Sequence, residues 1–275
     1  PFKRLGTIKD LSKYVNENDI DQVWIAFPFK GEGRGKEVLD ELRHSTVNIR
    51  YILDLNAFKD TEKTLTDFGG IPLLDIDVTP LEGMAAYIKL IEDKILSAFA
   101  LTILSPIFLI IAIGVKLSSP GPVFYRQERI SWNNKPFMML KFRSMPVDSE
   151  KGGVSWGGAK NKQPTSFGSF LRKTSLDELP QFINVLKGDM SIIGPRPERP
   201  VFVNQFKDEI PEYMKKHMVK AGITGWAQVN GLRGDTDLKK RIEYDLFYIR
   251  HWSLGFDIKI AFQTIFKGFI NKNAY

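Results

Sequence analysis

The feature that most constrains this chain is an uncharged apolar run near its middle, ILSAFALTILSPIFLIIAIGV, Ile95–Val115, bracketed by Lys94 and Lys116. A helix that enters a membrane needs about 20 consecutive apolar residues. A buried helix in a soluble core is the alternative, but such helices seldom run this long without a polar face. The run therefore predicts a membrane helix.

The dipeptide Ser105-Pro106 stands at the midpoint of this run. Proline removes a backbone hydrogen bond and kinks a helix, and a neighbouring serine can satisfy the carbonyl that is freed. Either a kinked spanning helix or a re-entrant one fits the run itself. Basic residues, which prefer the cytoplasmic side, flank both ends, and both neighbouring segments resemble soluble protein. We therefore predict a re-entrant helix over about 95–117, with its membrane break at Ser105 and Pro106.

Composition narrows the chemistry that the chain can carry. Its 275 residues have a net charge of +7, which favours anionic partners. The chain has no cysteine and three scattered histidines, so thiolate sites, disulfides and a histidine-based metal site or triad are not expected. Nucleic acid is a poor match for the positive charge, because no recognised reader motif accompanies it. Carboxylates, hydroxyls and lysines are the remaining candidates for chemistry.

The segment before the apolar run reads as an α/β fold. Helical patterns in KDLSKYVNEN and GKEVLDELRHS alternate with the strand-like runs DQVWIAFPF and VNIRYILDL, which predicts parallel βαβ units. The glycine cluster GEGRG between them is a weak motif, so we interpret it as a loop rather than a nucleotide site. We assign residues 1–80 to a partial Rossmann-like domain and residues 81–275 to an α+β membrane domain.

After the run, the stretch TSLDELPQF sets Asp177 and Glu178 side by side. Ser175 and Glu178 match a helix capping box, but Pro180 would then clash inside the first turns of the helix. A helix that begins near Pro180 instead leaves both acids at its electropositive end. Helix capping and catalysis are both compatible with this pattern taken alone.

Several motifs in one unbroken order carry a family resemblance: SSPGPVFYRQER, KFRSM, SLDELPQFINVLKGDMSIIGPRP and GITGWAQVNG. Over about residues 85–275 the chain resembles the bacterial monotopic phosphoglycosyl transferases. With its α/β segment it is most similar to the large members that load glucose 1-phosphate onto undecaprenyl phosphate. Those begin with four membrane helices and a complete Rossmann-like (CoA-binding-like) domain. We therefore expect this chain to be truncated at its N-terminus.

The resemblance implies a reaction and roles for individual residues. A UDP-sugar, glucose or galactose, would donate its sugar 1-phosphate to undecaprenyl phosphate and release UMP through a covalent aspartyl-phosphosugar. Asp177 would be the nucleophile, with Glu178 beside it, and both would hold Mg²⁺, which favours carboxylate and phosphate oxygens. Because arginine binds phosphate through its planar fork, the expected phosphate-binding residues are Arg196 and Arg143, followed by Arg172 and Lys141.

The resemblance also implies partners and a location. We expect membrane lipids as partners, a possible homodimer, and a place on the cytoplasmic face of the bacterial inner membrane. The loop Asn161–Pro164 departs from the family pattern and receives no role. GITGWAQVNG is compatible with a nucleotide pocket or a structural turn, and the C-terminal tail with an interfacial helix or a helix on the core. A non-catalytic membrane-anchored regulatory scaffold is the competing function.

Overall fold

The computed structural model describes residues 4–26, 33–52, 65–68, 71–76, 78–147, 149, 164–234 and 236–268. The loop Asn161–Pro164 lies almost entirely outside these ranges, as do the start of GEGRG and the end of the tail. Elements are labelled in chain order, and short 3-10 helices are given by their residues alone.

The N-terminal part is a small mixed sheet with helices. Its elements are α1 (Leu11–Glu17), β1 (Gln22–Ile25), α2 (Arg34–Glu41), β2 (Asn48–Ile52), β3 (Leu65–Phe68) and β4 (Ile71–Ile76). The sheet order is β1-β2-β4-β3. The β1–β2 pair is parallel, as predicted, whereas β2–β4 and β3–β4 are antiparallel. The sheet is therefore mixed, and strand β3 escaped the sequence analysis.

The second part contains one long helix, two short sheets and several helices. Its elements are α3 (Gly83–Ser118), β5 (Phe124–Ile130), β6 (Pro136–Phe142), α4 (Ser166–Lys173), α5 (Gln181–Lys187), β7 (Ser191–Ile193), α6 (Pro200–Phe206), β8 (Gly222–Thr224), α7 (Trp226–Val229), α8 (Leu238–Arg250) and α9 (Leu254–Gly268). Strands β5 and β6 form an antiparallel pair, and β7 and β8 a parallel pair. The main core lies between α6, α8, α9 and the 3-10 helix Tyr213–Met218.

Helix α3 carries the apolar run. Among the helices of the described residues it is the one long and apolar enough to cross a membrane, and only 11% of its apolar window is buried. Apolar side chains exposed to this extent need a nonaqueous cover, which a bilayer provides. The Ser105 hydroxyl donates to the Thr102 carbonyl over 2.8 Å. Because Thr102 is the residue whose carbonyl loses its partner at Pro106, the predicted compensation by serine is confirmed.

Helix α9 presents apolar side chains on two faces. Ile260 is fully buried and Asp257 is buried beside it, which fixes one face on the core. Ile258, Phe262 and Phe266 remain exposed, with 68% of Phe266 accessible. The helix thus packs on the core and also offers an apolar outer face of the kind found at membrane interfaces.

Candidate active site

The acid pair lies in a tight turn that leads into a helix. Leu176–Glu178 is a single 3-10 turn, and Pro180 is the N-cap of α5. Ser175 adopts a left-handed conformation, with φ of 56°, and its side chain makes no capping hydrogen bond. The capping-box interpretation is therefore wrong, because Pro180 places the helix start downstream of both acids, as the alternative predicted.

Glu178 is the centre of a cluster of cations. Its Oε1 atom lies 2.8 Å from Lys141 Nζ and 2.7 Å from Arg196 Nη2. Its Oε2 atom lies 3.5 Å from Arg196 Nη1 and 3.7 Å from Arg233 Nη2. Only 11% of the Glu178 side chain is exposed. Both oxygens are thus occupied by side-chain cations from three different parts of the chain.

Asp177 is also buried, but its carboxylate is unpaired within the described residues. Within the described part of the chain, no hydrogen bond or ion pair reaches its carboxylate, and 9% of the residue is exposed. Asp177 therefore presents an unpaired carboxylate next to a cluster of positive charge.

The two acids have opposite pKa shifts. Burial raises the pKa of Asp177 to about 6, with Lys141 acting against burial and the Glu178 charge adding to it. Burial also raises the pKa of Glu178, but Arg196 and Lys141 outweigh it and hold the pKa well below the usual range. At neutral pH both are ionised, and Asp177 is the more basic and less engaged of the two. Pairs of carboxylates with separated pKa values often divide catalytic roles.

A side-chain amide on α5 fixes Lys141 relative to the acid pair. The Asn184 Oδ1 atom accepts from the Leu140 backbone N–H over 2.9 Å, and its Nδ2 atom donates to the Met138 carbonyl over 2.9 Å. Asn184 is 1% exposed. Because it bonds strand β6 on both sides of residue 139, it ties the strand that carries Lys141 to the helix that follows Asp177 and Glu178.

The loop that carries Arg196 is held by β8. The Gly194 N–H donates to the Thr224 carbonyl, and the Gly222 N–H donates to the Pro195 carbonyl over 2.8 Å. A Cβ atom on Gly222 would collide with the Gly194 nitrogen, so only glycine fits. The first glycine of GITGWAQVNG therefore has a structural role, since it lets two backbones meet behind Arg196.

Arg143 has a different position from the one predicted. Its guanidinium donates to the carbonyls of Pro120, Ser119 and Val115 over 2.9, 2.6 and 3.3 Å, and the residue is 5% exposed. Gly121 has φ of +130°, and a Cβ there would collide with Arg143 Nη1. The structure therefore corrects the prediction that Arg143 contacts phosphate, because this side chain caps the C-terminal end of α3.

Arg172 and Arg233 add two further positive charges near the acid pair. Arg172, in the last turn of α4, lowers the pKa of Asp177 through its charge, and its phosphate contact stays a prediction. Arg233, from the segment after α7, was not predicted. The only signal in the sequence was its glycine-rich neighbourhood, NGLRGD.

The donor set limits where a metal ion can bind. In the described ranges no group of three or more histidine, cysteine or acidic side chains is arranged to hold a metal. Both oxygens of Glu178 are already paired with cations, so the predicted ligation by both acids does not fit. Asp177 fits alone, because Mg²⁺ commonly binds one or two carboxylates together with substrate phosphate oxygens.

Together these features define a class of protein: a membrane-associated protein with an acid pair inside a cluster of cations, suited to an anionic ligand. The sequence model of the bacterial sugar transferase family matches residues 84–271, and the chain belongs to this family. The model of a CoA-binding domain matches residues 2–52.

Curated relatives extend over both parts of the chain. It is 44% identical, over 98% of its length, to the UDP-glucose:undecaprenyl-phosphate glucose-1-phosphate transferase of Escherichia coli K12, and it spans 59% of that relative. It is 36% identical to the enzyme of the same name from Caulobacter vibrioides, over 77% of this chain and 78% of the relative. A UDP-N-acetylgalactosamine-undecaprenyl-phosphate N-acetylgalactosaminephosphotransferase from Aeromonas hydrophila is 47% identical over 66% of this chain and 43% of its own length.

Proposed function

We propose that this chain transfers glucose 1-phosphate from UDP-glucose to undecaprenyl phosphate and releases UMP. The observation that carries the proposal is the unpaired Asp177 carboxylate beside Glu178 and its three cations. Glucose is proposed because three relatives that match 98% of the chain are named for it. Galactose and N-acetylgalactosamine are the other sugars to be tested.

Asp177 acts as the nucleophile in this proposal. One carboxylate oxygen attacks the phosphorus next to the sugar, an Asp–O–P bond forms, and the P–O bond to UMP breaks, so that UMP leaves with the electron pair. A phosphate oxygen of the lipid then attacks the same phosphorus and breaks the Asp–O–P bond, which restores the carboxylate. Covalent catalysis of this kind divides one difficult displacement between two anions into two steps.

The cations make the attack by an anion possible. Glu178 holds Lys141, Arg196 and Arg233 next to Asp177, and a diphosphate that binds there meets several fixed donors. Preorganised positive charge at the position where negative charge develops is a large contribution to catalysis. Mg²⁺, held by Asp177, would supply further neutralisation of the diphosphate when bound. Arg196 and Arg233, with Arg172 nearby, are the proposed phosphate-binding residues.

A re-entrant course for α3 is supported by what its two ends touch. Near the start of the apolar run, Lys94 Nζ donates to the Leu186 carbonyl of α5. Near its end, Ile111 and Val115 pack with Leu171, Leu176 and Leu179. Both ends therefore contact the same stretch of chain, residues 171–187. A helix that crossed a bilayer core of about 30 Å would place its flanks on opposite sides.

In this proposal the acid pair lies near the membrane surface, on the side from which α3 enters and leaves. The exposed apolar face of α9 is the second part of the chain that contacts the membrane surface in this proposal. We place that surface on the cytoplasmic face of the inner membrane, because basic residues flank both ends of the run. A lipid phosphate at the headgroup level would then meet Asp177 without leaving the bilayer.

A non-catalytic scaffold is the competing function, and substitution of Asp177 distinguishes the two. UMP release is measured with UDP-glucose and undecaprenyl phosphate for the parent, Asp177→Asn and Asp208→Asn, an exposed acid matched as a control. The proposal expects release by the parent and the control but not by Asp177→Asn, and a labelled sugar phosphate retained on the parent chain when the lipid is omitted. Release by Asp177→Asn at the parent rate would disprove the covalent mechanism, and no release by the parent with any UDP-sugar would favour the scaffold.

A further inference from the structure

Two of the arginines that face Glu178 come from segments far apart in the chain. Arg196 follows β7, and Arg233 follows α7. Neither arginine lies on a helix or strand, so the backbone of each segment must be fixed by its surroundings. The distance between the two guanidinium groups depends on what joins these segments.

One buried side chain joins them. Arg241, in the first turns of α8, donates from Nη1 to Glu198 Oε1 over 3.0 Å. From Nη2 it donates to the Gly234 carbonyl and to Thr236 Oγ1. Glu198 is two residues beyond Arg196, and Gly234 directly follows Arg233. Arg241 is 3% exposed and Glu198 is 5% exposed, so water does not compete for these bonds.

The Arg196 segment is fixed at its other backbone groups as well. The Arg129 Nη1 atom donates to the Pro197 carbonyl over 3.1 Å, and the Ile130 N–H donates to the Glu198 carbonyl over 2.9 Å. The side chain of Glu198 is the point at which this segment meets α8. The same Arg241 side chain connects α8 to the segment that carries Arg233, through its hydrogen bonds to Gly234 and Thr236.

The start of α8 places Arg241 correctly. Asp237 caps the helix, and its carboxylate accepts from the N–H groups of Lys239 and Lys240 over 2.9 and 3.2 Å. The Arg241 N–H donates to the Asp237 carbonyl over 3.0 Å. Ile242 and Leu246 are buried in the core and anchor the same helix. The guanidinium group of Arg241 is thus carried by a helix that is capped at its start and anchored in the core.

We propose that Arg241 is a positioning residue that sets the spacing of Arg196 and Arg233, and thereby the affinity of the site for the diphosphate of its substrate. This inference rests on the proposed function. A lysine cannot replace Arg241 in this role, because a single ammonium group does not reproduce the fork that reaches both Glu198 and Gly234.

The test compares Arg241→Gln and Arg241→Lys with Arg250→Gln. Arg250 is a matched control: it lies on the same helix and pairs with both oxygens of Glu212 over 2.9 and 3.0 Å, but it is about half exposed and contacts neither segment. We expect both Arg241 variants to raise KM for UDP-glucose about tenfold, with a smaller change in kcat, the size of coupling that a packed network carries. Arg250→Gln should leave KM unchanged.

Two further measurements separate positioning from simple stabilisation. Arg241→Lys keeps the charge beside Glu198, so its thermal unfolding should stay close to that of the parent while KM stays high. In the Arg196→Gln/Arg233→Gln background, Arg241→Gln should add no further rise in KM, because residues that act as a unit are not additive. A full additional tenfold rise, or normal KM in Arg241→Lys, would overturn the proposal.

Calorimetric binding of UDP and of inorganic pyrophosphate keeps this test separate from the reaction. If the parent binds these anions but releases no UMP, the proposed function fails, and the comparison of Arg241 with Arg250 variants still decides the positioning role. Equal affinities for Arg241→Gln, Arg241→Lys and Arg250→Gln would contradict it. Weaker binding by both Arg241 variants alone would support it.

Discussion

The Nη2 atom of Arg196 lies 2.7 Å from Oε1 of Glu178, although 18 residues separate them in the chain. This contact shows why two adjacent acids are not equivalent. Glu178 turns toward Arg196, Lys141 and Arg233 and remains paired, whereas no side chain in the described ranges pairs with Asp177. The two acids therefore differ in the contacts that their side chains make beyond the 3-10 turn.

Glu178→Gln should destabilise the fold as well as the site. The substitution removes the charge that three partly buried cations share, and the loss of one partner from a buried ion pair costs about 3 kcal/mol. The free energy of unfolding, measured with denaturant, should fall by that order. Glu212→Gln is the control, since it breaks an exposed pair with Arg250, for which a loss of less than about 1 kcal/mol is expected. Equal losses in the two variants would contradict the buried cluster.

Arg143→Gln should affect stability more than substrate affinity. The Arg143 guanidinium satisfies three carbonyls at the end of α3, and each buried carbonyl left without a donor costs about 1 to 3 kcal/mol. We expect a lower unfolding temperature with KM for UDP-glucose close to that of the parent. Arg196→Gln should show the converse, a raised KM. If Arg143→Gln raised KM as strongly as Arg196→Gln, Arg143 would belong to the phosphate site.

The sequence predicted much of this arrangement because its signals are local. The apolar run and the start of α5 each depend on neighbouring residues, and the structure agrees with them. Helix α3 continues unbroken through Pro106, so the predicted break at Ser105 and Pro106 is not seen in its backbone. Pro180 alone was sufficient to move the helix start past both acids. The strands β1 and β2 were also visible as short apolar runs.

The contacts of the arginines could not be predicted, because they depend on tertiary structure. Arg143 and Arg196 both stand in basic, motif-like surroundings, but Arg143 meets the carbonyls that end α3, and Arg196 meets Glu178. Arg233 lies between α7 and α8, and its contact with Glu178 joins residues that are 55 positions apart in the chain. The antiparallel direction of β4 against β2 was not predicted for a similar reason, since strand direction is set by the connection and not by the apolar pattern.

Asp245→Asn should stabilise the protein at neutral pH. Burial raises the pKa of Asp245 to about 6, even though Lys216 and Arg241 face it and lower the pKa, while Glu198 raises it. The folded state therefore binds this proton more tightly than the unfolded state, in which the pKa is about 4, and stability falls as pH rises between these values. Asparagine cannot ionise, so the variant should gain up to about 3 kcal/mol over the parent by pH 7.

Unfolding free energies from about pH 4 to about pH 7 check this expectation. Glu243→Gln is the control, because Glu243 lies on the same helix and is exposed. The advantage of Asp245→Asn should grow with pH and vanish near the acid end, while the control should stay parallel to the parent. A constant difference at every pH would show that Asp245 titrates normally in the fold.

Labelling from one side of the membrane should settle the course of α3. The chain has no cysteine, so single cysteines can be placed at Met84 and at Lys116, which are both exposed and lie before and after the apolar run. In sealed inside-out vesicles, a membrane-impermeant maleimide should label both positions, because both ends of the helix pack on residues 171–187. Labelling of Met84→Cys alone, with Lys116→Cys reached only after detergent is added, would mean that the helix spans the bilayer. Replacing Pro106 with alanine in each cysteine variant extends the test: if the missing hydrogen bond at Pro106 keeps the helix in one leaflet, the Lys116→Cys site should become protected in that background.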